Sequence, residues 1–211
     1  LSAVKLNVNG TANVLEAARQ LDVKRVLFAS TVWIYSGSVG TMANEETHLQ
    51  SAGAGHIYNT TKIAAEMLIN DYNKLYGLPF TIMRYGIPYG PRARSTAVIP
   101  IFVRKALKNE PLTIQGDGSQ FRFFIYVEYL AEANVAALKK IAKNQVYNFD
   151  GYKPTTIRQI AETVKSILGD VEIVYSDARP GDYQGKFTSI DKAKRELEWE
   201  PRTSFETGLG K

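Results

Sequence analysis

The stretch "VNGTANVLEAARQLDVKRVLFAS", Val8 to Ser30, decides the fold. Val8, Ala12, Leu15, Ala18 and Leu21 recur with the 3.6-residue rhythm of an amphipathic helix. "RVLFA" follows at once, a short continuous apolar run of the kind found in strands covered on both faces. The same alternation repeats downstream. Residues 36–55, rich in Gly, Ser and Ala, read as a loop, and a second helix is expected from Tyr58 to about Leu75, ended by Gly77-Leu78-Pro79. "FTIMR" is the next strand. Helix, strand, helix, strand with short crossovers specify an α/β chain with a wound parallel sheet.

Beyond Arg84 the punctuation changes. "YGIPYGPRARS" reads as a loop, "VIPIFVRKALKN" as a short helix, "PLTI" and "RFFIYV" as strands, and "GDGS" as a turn. A helix over Glu128–Lys140, a strand at "QVYNFD", a helix in "TTIRQIAETVKSILG" opened by a Thr cap and closed by Gly, a strand at "VEIVYS" and a helix in "SIDKAKRELEW" complete the reading.

The composition narrows the chemistry. With no cysteine and only His48 and His56, disulfides, thiolate sites and the familiar histidine metal pairs are excluded. No apolar run approaches the roughly 20 residues of a membrane span. No leader with an export pattern is visible, so the expected compartment is cytoplasmic. The net charge of +5 is dispersed among acids, as in "KAKRELEWE". A nucleic-acid surface gathers its excess into a patch, so an anionic small molecule is the better-matched partner.

"HIYNTTKIAAEML" places Tyr58 four residues before Lys62, on one face of the second helix. In a wound sheet, ligands sit beyond the carboxyl ends of the strands, and "RVLFA" delivers Ser30 and Thr31 to that edge. An ammonium beside a phenol favours phenolate and lowers its pKa below the usual ~10. The product is a base able to take a hydroxyl proton near neutral pH, opposite a threonine hydroxyl that can hold an oxygen of the ligand. The bland alternative is an ordinary helix start followed by a solvated lysine.

Six segments, "NVNGTANVLEAAR", "VLFASTVWIY", "YNTTKIAAE", "MRYGIPYGPR", "GDGSQFRFFIYV" and "RPGD", stand in the order found in extended short-chain dehydrogenase/reductases. Over essentially the whole chain the sequence resembles the NAD-dependent nucleotide-sugar epimerase/dehydratase family, with UDP-glucose 4-epimerase-like members. The resemblance implies a partial Rossmann-type doubly wound sheet in residues 1–90. It also implies a smaller α/β nucleotide-sugar lobe in 91–211, with about 123–150 returning to the Rossmann part. It makes Thr31, Tyr58 and Lys62 the catalytic set, with NAD as cofactor. Asn7, Ser30, Tyr58, Lys62 and Tyr85 fall at cofactor-contacting positions, and Thr31, Arg122 and Arg179 at substrate-contacting ones. For Asn7 the alternative is bracing the first helix, and for Tyr85 simple packing. A homodimer through two helices, one of them the Tyr-Lys helix, also follows from the resemblance.

The departures matter as much. The family's Gly-rich phosphate loop and the acidic residue that selects NAD are not in this chain. The chain opens at Leu1 in what reads as the lead-in to a helix. The reading therefore expects a fragment whose first cofactor half lies upstream, inactive in isolation. Ile87 stands where the family commonly has Asn, and Phe123 and Tyr129 where it has Asp. Dehydratase members follow the threonine with Asp-Glu, whereas Val32 and Trp33 follow Thr31. Neither moves a proton, so the expected reaction is epimerisation of a nucleotide-diphosphate sugar at C4 through a transient 4-keto sugar. The alternatives are 4-keto-sugar reduction, UDP-uronate decarboxylation, dehydration, or a non-catalytic dinucleotide-responsive protein.

Overall fold

The computed structural model describes residues 1–49, 55–151, 153–178 and 185–211. In chain order the elements are α1 (Ser2–Val4), a π turn (Lys5–Asn9), α2 (Gly10–Gln20), β1 (Val26–Thr31), a 3-10 turn (Val32–Tyr35), β2 (Met42–Ala43), α3 (Ile57–Tyr76), β3 (Phe80–Tyr85) and β4 (Ile87–Tyr89). They continue with α4 (Val98–Leu107), β5 (Leu112–Gln115), β6 (Phe121–Tyr126), α5 (Val127–Ala136), β7 (Gln145–Phe149), β8 (Pro154–Thr156), α6 (Ile157–Leu168), β9 (Ile173–Ser176), β10 (Phe187–Thr188), α7 (Asp191–Leu197) and α8 (Phe205–Leu209). Two compact units result. One comprises Leu1–Gly86, Leu130–Asp150 and Lys186–Glu200; the other comprises Ile87–Tyr129, Gly151–Gly185 and Pro201–Lys211.

The first unit is built on a parallel sheet of order β1-β3-β7. Central β3 is buried along almost its whole length, which is why "FTIMR" is continuously apolar apart from Thr81 and Arg84. Thr81 is satisfied by donating its hydroxyl to the Ala142 carbonyl at 2.7 Å. Leu15 and Ala18 of α2, Ile69 of α3, and Leu78, Phe80 and Ile82 pack into one core. Helix α3 ends where the sequence says it must. Gly77 adopts φ +68°, a left-handed cap that L side chains resist, and its N–H bonds the Asn73 carbonyl. Trp199, just beyond α7, stacks edge-on against Phe149 of β7 at 4.8 Å.

The second unit holds a sheet of order β4-β6-β8 and a β5-β9 pair. β4 runs parallel to β6, and β8 antiparallel to it. Tyr89, Ile99, Phe102, Leu112, Ile114, Phe124, Ile160, Val164 and Phe205 form its core. Helix α6 opens with a capping box, in which Thr156 accepts from the Gln159 N–H while the Gln159 side chain accepts from the Thr156 N–H. Position 208 must be glycine, because a Cβ there would lie 2.1 Å from the Tyr89 phenol oxygen.

Three readings are corrected. The expected loop over 36–55 contains β2, and the expected loop after Arg84 contains β4. β2 exists only through its ladder to β10, about 145 residues away. β4 carries Pro88, which an edge strand accommodates because one side of its ladder is unpaired. The helix expected over Glu128–Lys140 stops at Ala136, and a separate 3-10 turn follows at Lys140–Ala142.

Candidate active site

The parallel register sets the edge of the site. Ser30 is opposite Arg84, Thr31 opposite Tyr85, and Tyr85 opposite Phe149, so the carboxyl ends of β1, β3 and β7 stop level. Thr31 is 6% exposed and accepts the Trp33 N–H at 3.2 Å, which starts the 3-10 turn. That bond occupies a lone pair and leaves the hydroxyl proton of Thr31 available for donation. Val32 and Trp33 fill the turn directly behind it.

Helix α3 is capped by an imidazole. His56 Nδ1 accepts the backbone N–H of Tyr58 at 3.1 Å, placing Tyr58 in the first turn. The Tyr58 ring is 37% exposed. One turn on, the Lys62 ammonium donates to the Ala29 carbonyl of β1 at 2.8 Å. It lies 4.8 Å from the centre of the Phe28 ring and 5.9 Å from that of Tyr58. Burial lowers the Lys62 pKa, and the Glu66 carboxylate opposes that shift. An ammonium so held retains two further donors and sits over the phenol ring rather than away from it.

Asn7 reaches this helix from the π turn before α2. Its amide donates to the Thr61 hydroxyl at 3.0 Å, and Thr61 donates to the Tyr58 carbonyl at 2.8 Å. Asn7 thus braces the turn that bears Tyr58. Ser30, 3% exposed, points its hydroxyl to the Glu66 carboxylate. Tyr85 donates to Asn134 of α5 at 2.8 Å, and burial pushes its phenol up to about 12, which suits a fixed hydrogen-bonding group and not a base.

Behind the edge lies a buried polar cluster that spacing did not reveal. Glu66 and Arg84 pair in two-pronged fashion, Nε to Oε1 at 3.1 Å and Nη2 to Oε2 at 2.6 Å, with side chains 6% and 7% exposed. Arg84 Nη1 donates to the Tyr35 phenol at 2.6 Å, and that phenol donates to Asn148 Oδ1 at 2.9 Å. The Asn148 N–H is accepted by Glu45, whose pKa burial raises. The only sequence signal for this cluster was a glutamate four residues after the lysine; its partners are remote in the chain.

In the second unit, Arg122 lies on β6 opposite Thr155 and donates to the Phe121 carbonyl at 2.7 Å. Arg179 lies outside the described residues. The departures have structural uses. Ile87 packs against the core of this unit, Phe123 meets Phe121 edge-on at 6.1 Å, and the Tyr129 phenol accepts from Thr203 at 3.1 Å. Among the described residues no His/Asp/Glu group could hold a metal ion, and no helix is long and apolar enough to cross a membrane.

A tyrosine-lysine helix at the carboxyl edge of a parallel sheet defines the class. The model of the NAD dependent epimerase/dehydratase family matches residues 2–149, and the chain belongs to that family. It is 33% identical over 207 residues to the UDP-glucuronate 4-epimerase of Thermodesulfobacterium geofontis, a match covering 98% of this chain and 63% of the relative. Among solved structures it is similar to the UDP-glucose 4-epimerase of Thermotoga maritima with UDP-glucose. There the TM-score is 0.88 and the identity 33%, over 98% of this chain and 67% of that one. It is also similar to the UDP-glucuronic acid 4-epimerase of Bacillus cereus in complex with UDP-glucuronic acid and NAD. That comparison has a TM-score of 0.88 and 29% identity, over 98% and 65% of the two chains. The chain therefore spans about two thirds of the length of these relatives.

Proposed function

We propose that this chain is part of an NAD-dependent epimerase of a nucleotide-diphosphate sugar, acting at C4. The observation that carries the reading is the Lys62 ammonium lying over the Tyr58 ring beside the end of β1, with Thr31 followed by Val32 and Trp33. Residues 1–90 belong to the cofactor-binding domain, and 91–211, with about 123–150 returning to that domain, to the nucleotide-sugar lobe.

Lys62 carries the donors that fit a dinucleotide. Lys62 spends one of its three protons on Ala29, which leaves two for a ribose hydroxyl. Asn7 acts through the helix, Ser30 is committed to Glu66, and Tyr85 is anchored to α5. NAD, when bound, supplies the hydride acceptor and donor. Tyr58, as phenolate, takes the proton of the sugar 4-hydroxyl and returns it after the sugar has turned over. Lys62 holds the phenolate by charge, and the Thr31 hydroxyl donates to the sugar oxygen and fixes its place. Arg122 and Arg179 bind the diphosphate, for which guanidinium is suited. Because Val32 and Trp33 offer no acid or base, elimination of water has no proton carrier at that position.

The partner is a nucleotide sugar, with no nucleic acid or membrane involved, and the compartment is the cytoplasm. The enzyme pairs as a homodimer. Support comes from apolar side chains left exposed on α2 and α3, among them Val14, Met67 and Leu75.

The test is product analysis on the complete gene product with NAD and a set of UDP-sugars. The expected product is the 4-epimer with no net redox change. Loss of carbon dioxide would establish decarboxylation instead, and loss of water dehydration. NAD binding without any turnover would make it a binding protein.

A further inference from the structure

We infer that Glu66 is a positioning residue for the Tyr58–Lys62 pair, acting through Ser30 and Arg84. The inference rests on the reading of Tyr58 as the base. Tyr58, Lys62 and Glu66 follow at i, i+4 and i+8 on one face of α3. The Glu66 carboxylate takes the Ser30 hydroxyl from β1 and both the Nε and Nη2 of Arg84 from β3. Ser30 and Arg84 are register partners, one residue behind the Thr31–Tyr85 pair that ends the strands. A single buried carboxylate therefore ties the catalytic helix to two adjacent strands immediately behind the reacting edge.

The apolar contacts of α3 do not do this alone. Hydrophobic burial has no direction, so the Ala65 and Ile69 face tolerates a small roll of the helix. A roll of about 10° at the roughly 6 Å outer radius of a helix moves a side-chain tip by about 1 Å. A misplacement of that size costs on the order of 100-fold in rate. The two-pronged Glu66–Arg84 pair and the Ser30 bond are directional and fix that roll. Arg84 is itself held by Tyr35, whose phenol is held by Asn148 of β7, so the tie extends across all three strands. The charged and titratable groups of this cluster are Glu66, Arg84 from β3, Tyr35 from the 3-10 turn, Glu45 from the segment after β2 and, one turn away on α3, Lys62.

Two substitutions in the complete protein test this. Ser30→Ala removes the tie to β1 without changing any charge and keeps the Glu66–Arg84 pair. Glu66→Gln keeps the shape and removes the charge. Both are expected to lower kcat, on the order of 10-fold for Ser30→Ala and 100-fold for Glu66→Gln. KM and NAD affinity should stay within about 2-fold, because the Ser30 hydroxyl and the Glu66 carboxylate are bonded to each other. In Ser30→Ala without substrate, the Tyr58 phenol should titrate at higher pH by roughly half a unit, read from its ring carbon resonance by NMR, because the Lys62 ammonium stays bonded to the Ala29 carbonyl of β1 while Tyr58 rolls away with α3. An unchanged kcat or an unchanged Tyr58 titration in Ser30→Ala overturns the inference. A loss of NAD affinity in that variant assigns Ser30 to the cofactor and also overturns it. If Glu66→Gln does not fold, Ser30→Ala decides alone. If the wild-type protein converts no nucleotide sugar, the proposed function fails, and the Tyr58 titration still decides the positioning role.

Discussion

The first and third turns of α3 carry similar chemistry in opposite settings. In the first turn Tyr58 is 37% exposed and the Lys62 ammonium that follows it pairs with a carbonyl and two rings, with donors to spare. In the third turn Glu66 is 4% exposed and its carboxylate is filled by three donors. Reactivity needs capacity left over for a substrate, whereas rigidity needs none left over. One helix supplies both, and the saturated end holds the unsaturated end in place.

Predictions that separate the two ends run from large to small. Tyr58→Phe removes the hydroxyl proposed as the base and keeps the ring. In steady-state kinetics its kcat should fall about 10²- to 10⁴-fold at unchanged Tm; normal turnover would end the distinction. Arg84→Met strands the buried Glu66, and a loss of about 3–5 kcal/mol is expected in urea unfolding. A loss below about 1 kcal/mol would mean that water reaches the pair.

Removing the cap with His56→Ala should cost about 1 kcal/mol of stability. The loss should appear first as faster amide exchange around Tyr58, because His56 Nδ1 accepts that N–H. The smallest effect is a gain. Burial lowers the Lys62 pKa in the folded state, so the folded form binds fewer protons than the unfolded form between the lowered pKa and about 10.5. Stability therefore rises with pH through that window, and the charge is a burden below it. Lys62→Met should raise Tm slightly at neutral pH, lose the advantage at alkaline pH, and abolish turnover. A destabilised Lys62→Met would show that the lysine serves the fold.

Much of the fold was legible. Gly77 and Pro79 closed α3 and Thr156 opened α6, because caps and breakers act within a few residues. β2 and β4 were not legible. Two or three residues among Gly and Pro become strands only when β10 and β6 lie beside them. At the site, the Tyr58–Lys62 spacing was readable because a helix repeats every 3.6 residues. The Glu66–Arg84–Tyr35–Asn148 cluster was not, since its members stand 18 to 113 residues apart. Asn7 showed only as an asparagine in a family segment, and its bond to Thr61 bridges 54 residues.

The sequence by itself determined the run of helices and parallel strands and the placement of a phenol and an ammonium on one helix face, since both follow from backbone geometry over neighbouring residues. Only the tertiary structure decided what fills the Glu66 carboxylate, what the Lys62 ammonium rests on and which loops become strands. Each of those is a hydrogen bond or ladder whose partner is supplied by a distant part of the chain, and it forms only once the sheet has brought the two together.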